Sequence, residues 1–184
     1  MIQEWNRIKS DNVFSCRVFS VRKDISVSPY TSREHDFYVI EAPSWVNVIA
    51  FTENMQIVLI EQYRHGISSN TIEIPGGMVD QGEKPINSAK RELLEETGYE
   101  SNKWTFLGGI SPNPAIQNNI CYTFLAENVK KIREPKFDTA EDIMSVLTDF
   151  DKVPELVKQG RINHSLVITA FYLYTLLLDK EITG

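Results

Sequence analysis

Apolar positions along this chain recur every second residue in some stretches and every third or fourth in others. Phe14, Cys16 and Val18 alternate within 12–22, and Phe37 and Val39 within 36–42, so both stretches read as strands. A turn-rich piece at Ser28-Pro29-Tyr30 separates them, and Ala42-Pro43-Ser44 ends the pattern. Residues 1–43 therefore read as a small antiparallel β appendage and 44–184 as the main domain. In the main domain, 45–51 and 56–62 are strands joined by a turn at Glu53-Asn54. Further strands are expected at 104–109, 120–126 and 143–148. A short helix at 154–159 should stop at Gly160. A second helix should begin near Asn163 or Ser165, both good N-caps, and run through the apolar stretch 166–178. Strands and helices share the domain, so the class is α/β.

The helix predicted at 85–97 carries the most information. Pro85 suits a first turn, where its missing N–H costs nothing. No Pro or Gly interrupts 86–97, and Gly98 stands where a left-handed residue closes a helix. Ile86, Ala89 and Leu93 recur once per turn and should face the core. Glu92, Glu95 and Glu96 then share the other side. Like charges so placed repel. One reading is a solvated acidic face; the other is a site for a hard divalent cation, which would remove the repulsion. The surrounding Gly77, Glu83, Arg91 and Gly98 favour the second, with Arg91 neutralising and orienting one carboxylate, Glu83 foremost.

Composition narrows the partners. The 184 residues suit one domain with a small appendage, and 42% hydrophobic content is enough for a core. A net charge of −6 argues against a nonspecific nucleic-acid binder. Cys16 and Cys121 are too few and too separated for a disulfide framework, which points to a reducing cytoplasm. The polar start MIQEWNRIKSD is unlike a signal peptide. The apolar run 166–178 is too short to span a bilayer, so no membrane partner is expected.

Gly77-x5-Glu83-x7-Arg91-Glu92-Leu93-x-Glu95-Glu96-x-Gly98-Tyr99 resembles a complete Nudix box. The resemblance implies a Nudix α/β/α sandwich with a mixed central sheet. It also implies hydrolysis of nucleoside diphosphates linked to another moiety. On this likeness Glu92 and Glu96 are the main metal ligands, with Glu95 assisting and the Gly76 carbonyl as a further ligand. The cofactor would be Mg²⁺, with Mn²⁺ as the substitute. Catalytic roles are expected for Glu95, Glu96 and Arg91. Upstream, Glu61-Gln62-Tyr63-Arg64 and Glu73-Ile74-Pro75-Gly76-Gly77 resemble the pattern of ADP-ribose and nucleoside-diphosphate-sugar pyrophosphatases. Pro114 is similar to a proline that accompanies ADP-ribose specificity, but Ala115 replaces the usual glycine, which leaves room for other sugars. The likeness covers about 37–175, most firmly 57–99.

Substrate contacts follow from residue type. The guanidinium of Arg64 can fork onto phosphate oxygens, or pair with Glu61 or Glu73. Glu73 could serve a metal or the substrate. Trp5, Tyr30 and Phe37 could stack on a base or simply pack. His35, His65 and His164 are isolated, and His164 reads as a helix-start residue. The general base should lie in the acidic loop 136–142: Glu141 first, then Asp138, then Asp142. In related pyrophosphatases an N-terminal sheet exchanges between protomers, so the resemblance implies a homodimer. The expected reaction is metal-dependent cleavage of ADP-ribose or a related nucleotide sugar into a nucleoside monophosphate and a sugar phosphate. The alternatives are other nucleotides (dinucleoside polyphosphates, damaged dNTPs, GDP-mannose) or a non-catalytic ADP-ribose sensor.

Overall fold

Strand alternation sets the layers of the main domain. In β4 (Trp45–Phe51), Val46, Val48 and Ala50 point to one face of the sheet, and Ile49 and Phe51 to the other. The first face packs on Ala89 and Leu93 of α1 (Pro85–Thr97). The second packs on Val153 of α2 (Val153–Lys158) and on Val167, Ala170, Phe171 and Tyr174 of α3 (Ser165–Thr183). Each face is apolar, so helices cover both, giving an α/β/α sandwich. The computed structural model describes residues 1–136 and 142–183.

The sheet has seven strands. Its path runs β12 (Ile143–Asp149), β5 (Gln56–Arg64), β4, β10 (Cys121–Glu127), β9 (Lys103–Ile110). β4 and β10 are parallel and the other pairs antiparallel, so the sheet is mixed. β4 and β5 start as a hairpin but share only the Phe51↔Ile57 pair. Beyond it they part, and the segment that follows fills the gap: β6 (Ser69–Glu73) pairs with β5, and β7 (Gly76–Met78) with β4. The Val48 N–H donates to Pro75 O at 2.8 Å, closing the seam. This split positions the site. A two-stranded ribbon of β8 (Tyr99–Glu100) and β11 (Lys130–Lys131) lies outside the sheet.

The N-terminal sheet is an antiparallel meander of β1 (Asn6–Ser15), β2 (Ser20–Val27) and β3 (Glu34–Glu41). The strand expected at 12–22 is instead a turn flanked by two strands, with the Cys16 N–H donating to Phe19 O at 2.9 Å. Neither Gly nor Pro marks that turn, so alternation ran through it. By its contacts the chain divides into two compact units, Met1–Ser44 with Ser111–Ile120, and the remainder. Within the first, the Ile40 N–H donates to Ile116 O at 2.7 Å, and the Asn118 N–H to Ile40 O at 3.3 Å. No helix among the described residues is long and apolar enough to cross a membrane.

Candidate active site

Helix α1 starts at Pro85 and closes at Gly98, whose φ of 75° is the left-handed cap the sequence anticipates. The buried stripe of Ala89 and Leu93 turns the glutamate face toward the β7 glycines. Glu96 is only 5% exposed, and its Oε2 accepts the Gly76 N–H at 2.9 Å. A Cβ built on Gly77 would strike the Glu92 carboxylate, so only glycine permits this approach. Glycine at 76 is needed as well, because a Cβ there would meet Val46 O.

Arg91 is the hub of the acidic face. Its Nη1 donates to Glu92 Oε1 at 2.8 Å and Glu95 Oε2 at 3.3 Å. Its Nη2 donates to Met78 O at 3.0 Å and Glu83 Oε2 at 3.2 Å. Arg91 thus holds Glu83, as expected, and two box glutamates besides. Burial disfavours its charge, but Glu92 and Glu83 outweigh this and hold it more firmly protonated than a free arginine. Glu83 sits below the usual carboxylate range, first through the Ser88 hydroxyl at 2.7 Å and then through Arg91.

The second half of the site is the split between β4 and β5. A cleft of about 310 Å³ opens there, floored by Asn47 of β4, Arg64 of β5, Glu73 of β6 and the β7 glycines. His164, just before α3, lines it as well. Glu73 is 3% exposed. It receives both edges of Arg64, Nε at 2.7 Å and Nη2 at 2.6 Å, and the Thr71 hydroxyl at 2.6 Å. Burial raises its pKa, but these hydrogen bonds and the adjacent guanidinium prevail and lower it.

Comparison with known proteins follows the same lines. A NUDIX domain model matches residues 43–171. The chain belongs to the Nudix family. It is 32% identical to a methanol dehydrogenase activator of Bacillus methanolicus, covering 91% of this chain and 90% of that one. It is 28% identical to an ADP-ribose pyrophosphatase of Bacillus subtilis, covering 78% and 77%. The crystal structure of an ADP compounds hydrolase superposes with a TM-score of 0.86 at 21% identity, over 98% of this chain and 97% of that one. That likeness establishes the Nudix fold.

Nudix hydrolases generally need divalent metal ions. The donors on this face fit such an ion by type, being hard carboxylate and carbonyl oxygens set against a glycine loop. As they stand, no three His, Cys, Asp or Glu side chains among the described residues gather into a ready cluster. Arg91 holds Glu92 and Glu95, and the Gly76 N–H holds Glu96.

The fold brings together Arg91, Glu92, Glu95, Glu96 and Gly76 on one side and Arg64 and Glu73 on the other. Phe37 and Pro114 belong to the N-terminal unit. There Phe37 stacks edge-on with Trp5, their ring centroids 5.3 Å apart. Glu141 and Asp138 lie outside the described residues. Asp142 lines a separate cleft with Glu61, Tyr63 and Asn70. Two residues of the Arg64 cleft escaped the sequence reading as site residues. Asn47 was signalled by being the one polar side chain in the strand 45–51. His164 did act as the helix-start residue anticipated, its Nδ1 accepting the Leu166 N–H at 3.2 Å, but its place in the cleft left no sequence signal.

Proposed function

We propose that this Nudix hydrolase cleaves the diphosphate bond of ADP-ribose or a related nucleoside diphosphate sugar. The products would be a nucleoside monophosphate and a sugar phosphate. The observation that carries the reading is the adjacency of the glycine loop, pressed on Glu92 and Glu96, to the Arg64–Glu73 cleft. Glu92, Glu95, Glu96 and the Gly76 carbonyl would hold the divalent cation, Mg²⁺ or Mn²⁺. When bound it would offset charge on the phosphoryl oxygens and acidify a water. Arg91 holds Glu83, Glu92 and Glu95 in register. Glu73 holds Arg64 at the cleft wall, with Phe37 and Pro114 as further substrate contacts. A water oxygen bonds to one phosphorus, the bridging P–O bond breaks, and a carboxylate takes the water's proton. Glu141 is the base in this proposal.

The test is a panel of ADP-ribose, ADP-glucose, GDP-mannose, UDP-glucose, diadenosine polyphosphates and 8-oxo-dGTP, with Mg²⁺, with Mn²⁺ and with chelator. Metal-dependent release of AMP and ribose 5-phosphate from ADP-ribose supports the reading. Preferential turnover of dNTPs would overturn it.

The likeness to the methanol dehydrogenase activator extends over nine-tenths of both chains and favours a second reading. In it the chain raises the rate of a dehydrogenase. Methanol dehydrogenase would be assayed with the wild-type chain and with Glu92→Gln. Stimulation by the wild type alone would tie activation to hydrolysis, and no stimulation would remove this reading. Residence in the cytoplasm and assembly as a homodimer, without nucleic acid or membrane, belong to the same proposal.

A further inference from the structure

We infer that Ser88, buried in α1, is a positioning residue for the carboxylates of the proposed metal site, acting through Glu83 and Arg91. The inference rests on the divalent-cation site of the proposed function and adds to it a residue whose hydroxyl bonds to no proposed ligand.

Ser88 is 0% exposed, and its hydroxyl donates to Glu83 Oε2 at 2.7 Å. A serine inside a helix often returns its hydroxyl to the carbonyl one turn back. Here the hydroxyl leaves the helix and reaches Glu83, which precedes the helix start at Pro85. The same Glu83 oxygen accepts Arg91 Nη2 at 3.2 Å. One oxygen of Glu83 is thereby tethered to two points of α1, Ser88 and Arg91, which lie three residues apart on one flank. A backbone hydrogen bond with Asp80 adds to its hold.

What Glu83 fixes is the orientation of Arg91. Arg91 Nε is buried and finds no hydrogen-bond partner among the described residues, so the guanidinium is held by its two Nη groups. Nη2 rests on Met78 O at 3.0 Å and on Glu83, with the exposed Asp80 carboxylate farther off at 3.7 Å. Nη1 reaches Glu92 Oε1 at 2.8 Å and Glu95 Oε2 at 3.3 Å. The guanidinium is planar and rigid, so anchoring Nη2 sets the direction of Nη1. The Ser88 hydroxyl therefore heads a chain that runs through Glu83 and Arg91 to two of the carboxylates proposed to hold the cation. Without it Glu83 keeps Arg91 and the Asp80 backbone but loses its 2.7 Å hydrogen bond to the helix. The competing account is a buried hydroxyl that has found an acceptor and matters to stability alone. The two differ in what they do to metal affinity.

The experiment measures Mn²⁺ binding by calorimetry without substrate, alongside melting temperature, on the full chain. Ser88→Ala removes the hydroxyl and keeps a good helix former. It should weaken Mn²⁺ binding about tenfold, the low end of the range for outer-shell partners, because it acts one step further out. Ser88→Thr keeps the hydroxyl. Its affinity should stay within about twofold of wild type, even where the added methyl lowers the melting temperature. Adding Ser88→Ala to Glu83→Ala should change affinity less than about twofold, because the chain is already cut. Unchanged affinity in Ser88→Ala, an equal loss in both backgrounds, or affinity that follows melting temperature across the set would overturn the inference and leave the hydrolase reading intact. A wild type that binds no Mn²⁺ would remove the metal site and the inference with it. The expected binding pattern with no turnover of any nucleotide would end the hydrolase reading and leave the role of Ser88 standing.

Discussion

At the scale of single residues, the site divides into carboxylates held by Arg91 and the Gly76 N–H and an Arg64–Glu73 pair held by each other. Glu92 is braced by Arg91 and Glu96 by the Gly76 N–H. Glu92→Gln and Glu96→Gln should each lower kcat at least about 100-fold, since loss of outer-shell partners alone costs about 10–100-fold. Steady-state assays at saturating Mg²⁺ check this, and near wild-type turnover would refute the metal assignment. Arg64 and Glu73 act differently. Arg64→Met strands a nearly buried carboxylate and should cost about 1.5–3 kcal/mol, read by urea unfolding at pH 7. The pH dependence follows from the same groups. Glu73 has a pKa below its ordinary 4.5, so its contribution is complete above that pH and erodes as pH falls below it. His164 has a pKa below its ordinary 6.5, because burial disfavours its charge. The unfolded chain takes up that proton first, so stability begins to fall once pH drops below 6.5. Wild-type stability should therefore decline in two stages toward acid. His164→Asn should remove the first stage, and a melting-temperature series from pH 8 to 3.5 would show it.

At the scale of elements, α1 was legible almost to its ends, because a proline start, a glycine stop and a one-turn apolar repeat are all local. The reading 85–97 matches the helix Pro85–Thr97. Gly98 is the tightest point: a Cβ there would meet Arg133 O, and φ is 75°. Gly98→Ala should cost about 1–3 kcal/mol, measured by denaturant unfolding. A smaller loss would mean that the backbone at Arg133 yields easily. The strands at 45–51, 56–62 and 143–148 were equally readable from alternation and runs of Val, Ile and Leu. β6 and β7 were not. Gly76, Gly77 and Pro75 look like loop, and only the parting of β4 and β5 gives them strands to pair with. Cys121 illustrates a residue whose role is packing: burial pushes its thiol up to about 12, so it is inert at neutral pH.

At the scale of the whole molecule, the N-terminal sheet carries more apolar surface than a free sheet should. Ile8, Val13 and Phe14 of β1 are each about half exposed. A sheet of three strands buries little by itself. A homodimer is expected at micromolar protein, and Phe14→Glu should shift it toward monomer; sedimentation velocity reads both. A monomeric wild type would remove the dimer from the proposal.

The sequence by itself determined the acidic helix, its caps, the layered α/β class and the Nudix family, because each depends on spacing within a few turns or on a contiguous motif. The tertiary structure alone decided the composition of the cleft. Asn47, Arg64, Glu73 and His164 are spread over more than a hundred positions. They meet because β5 leaves β4 after one pair, β6 follows β5, and the Ile72 N–H donates to Arg161 O at 3.0 Å, which draws 161–164 alongside. Long-range hydrogen-bond register has no local signature, and it is this register that brings a helix-start histidine and a lone strand asparagine to the lining of one cleft.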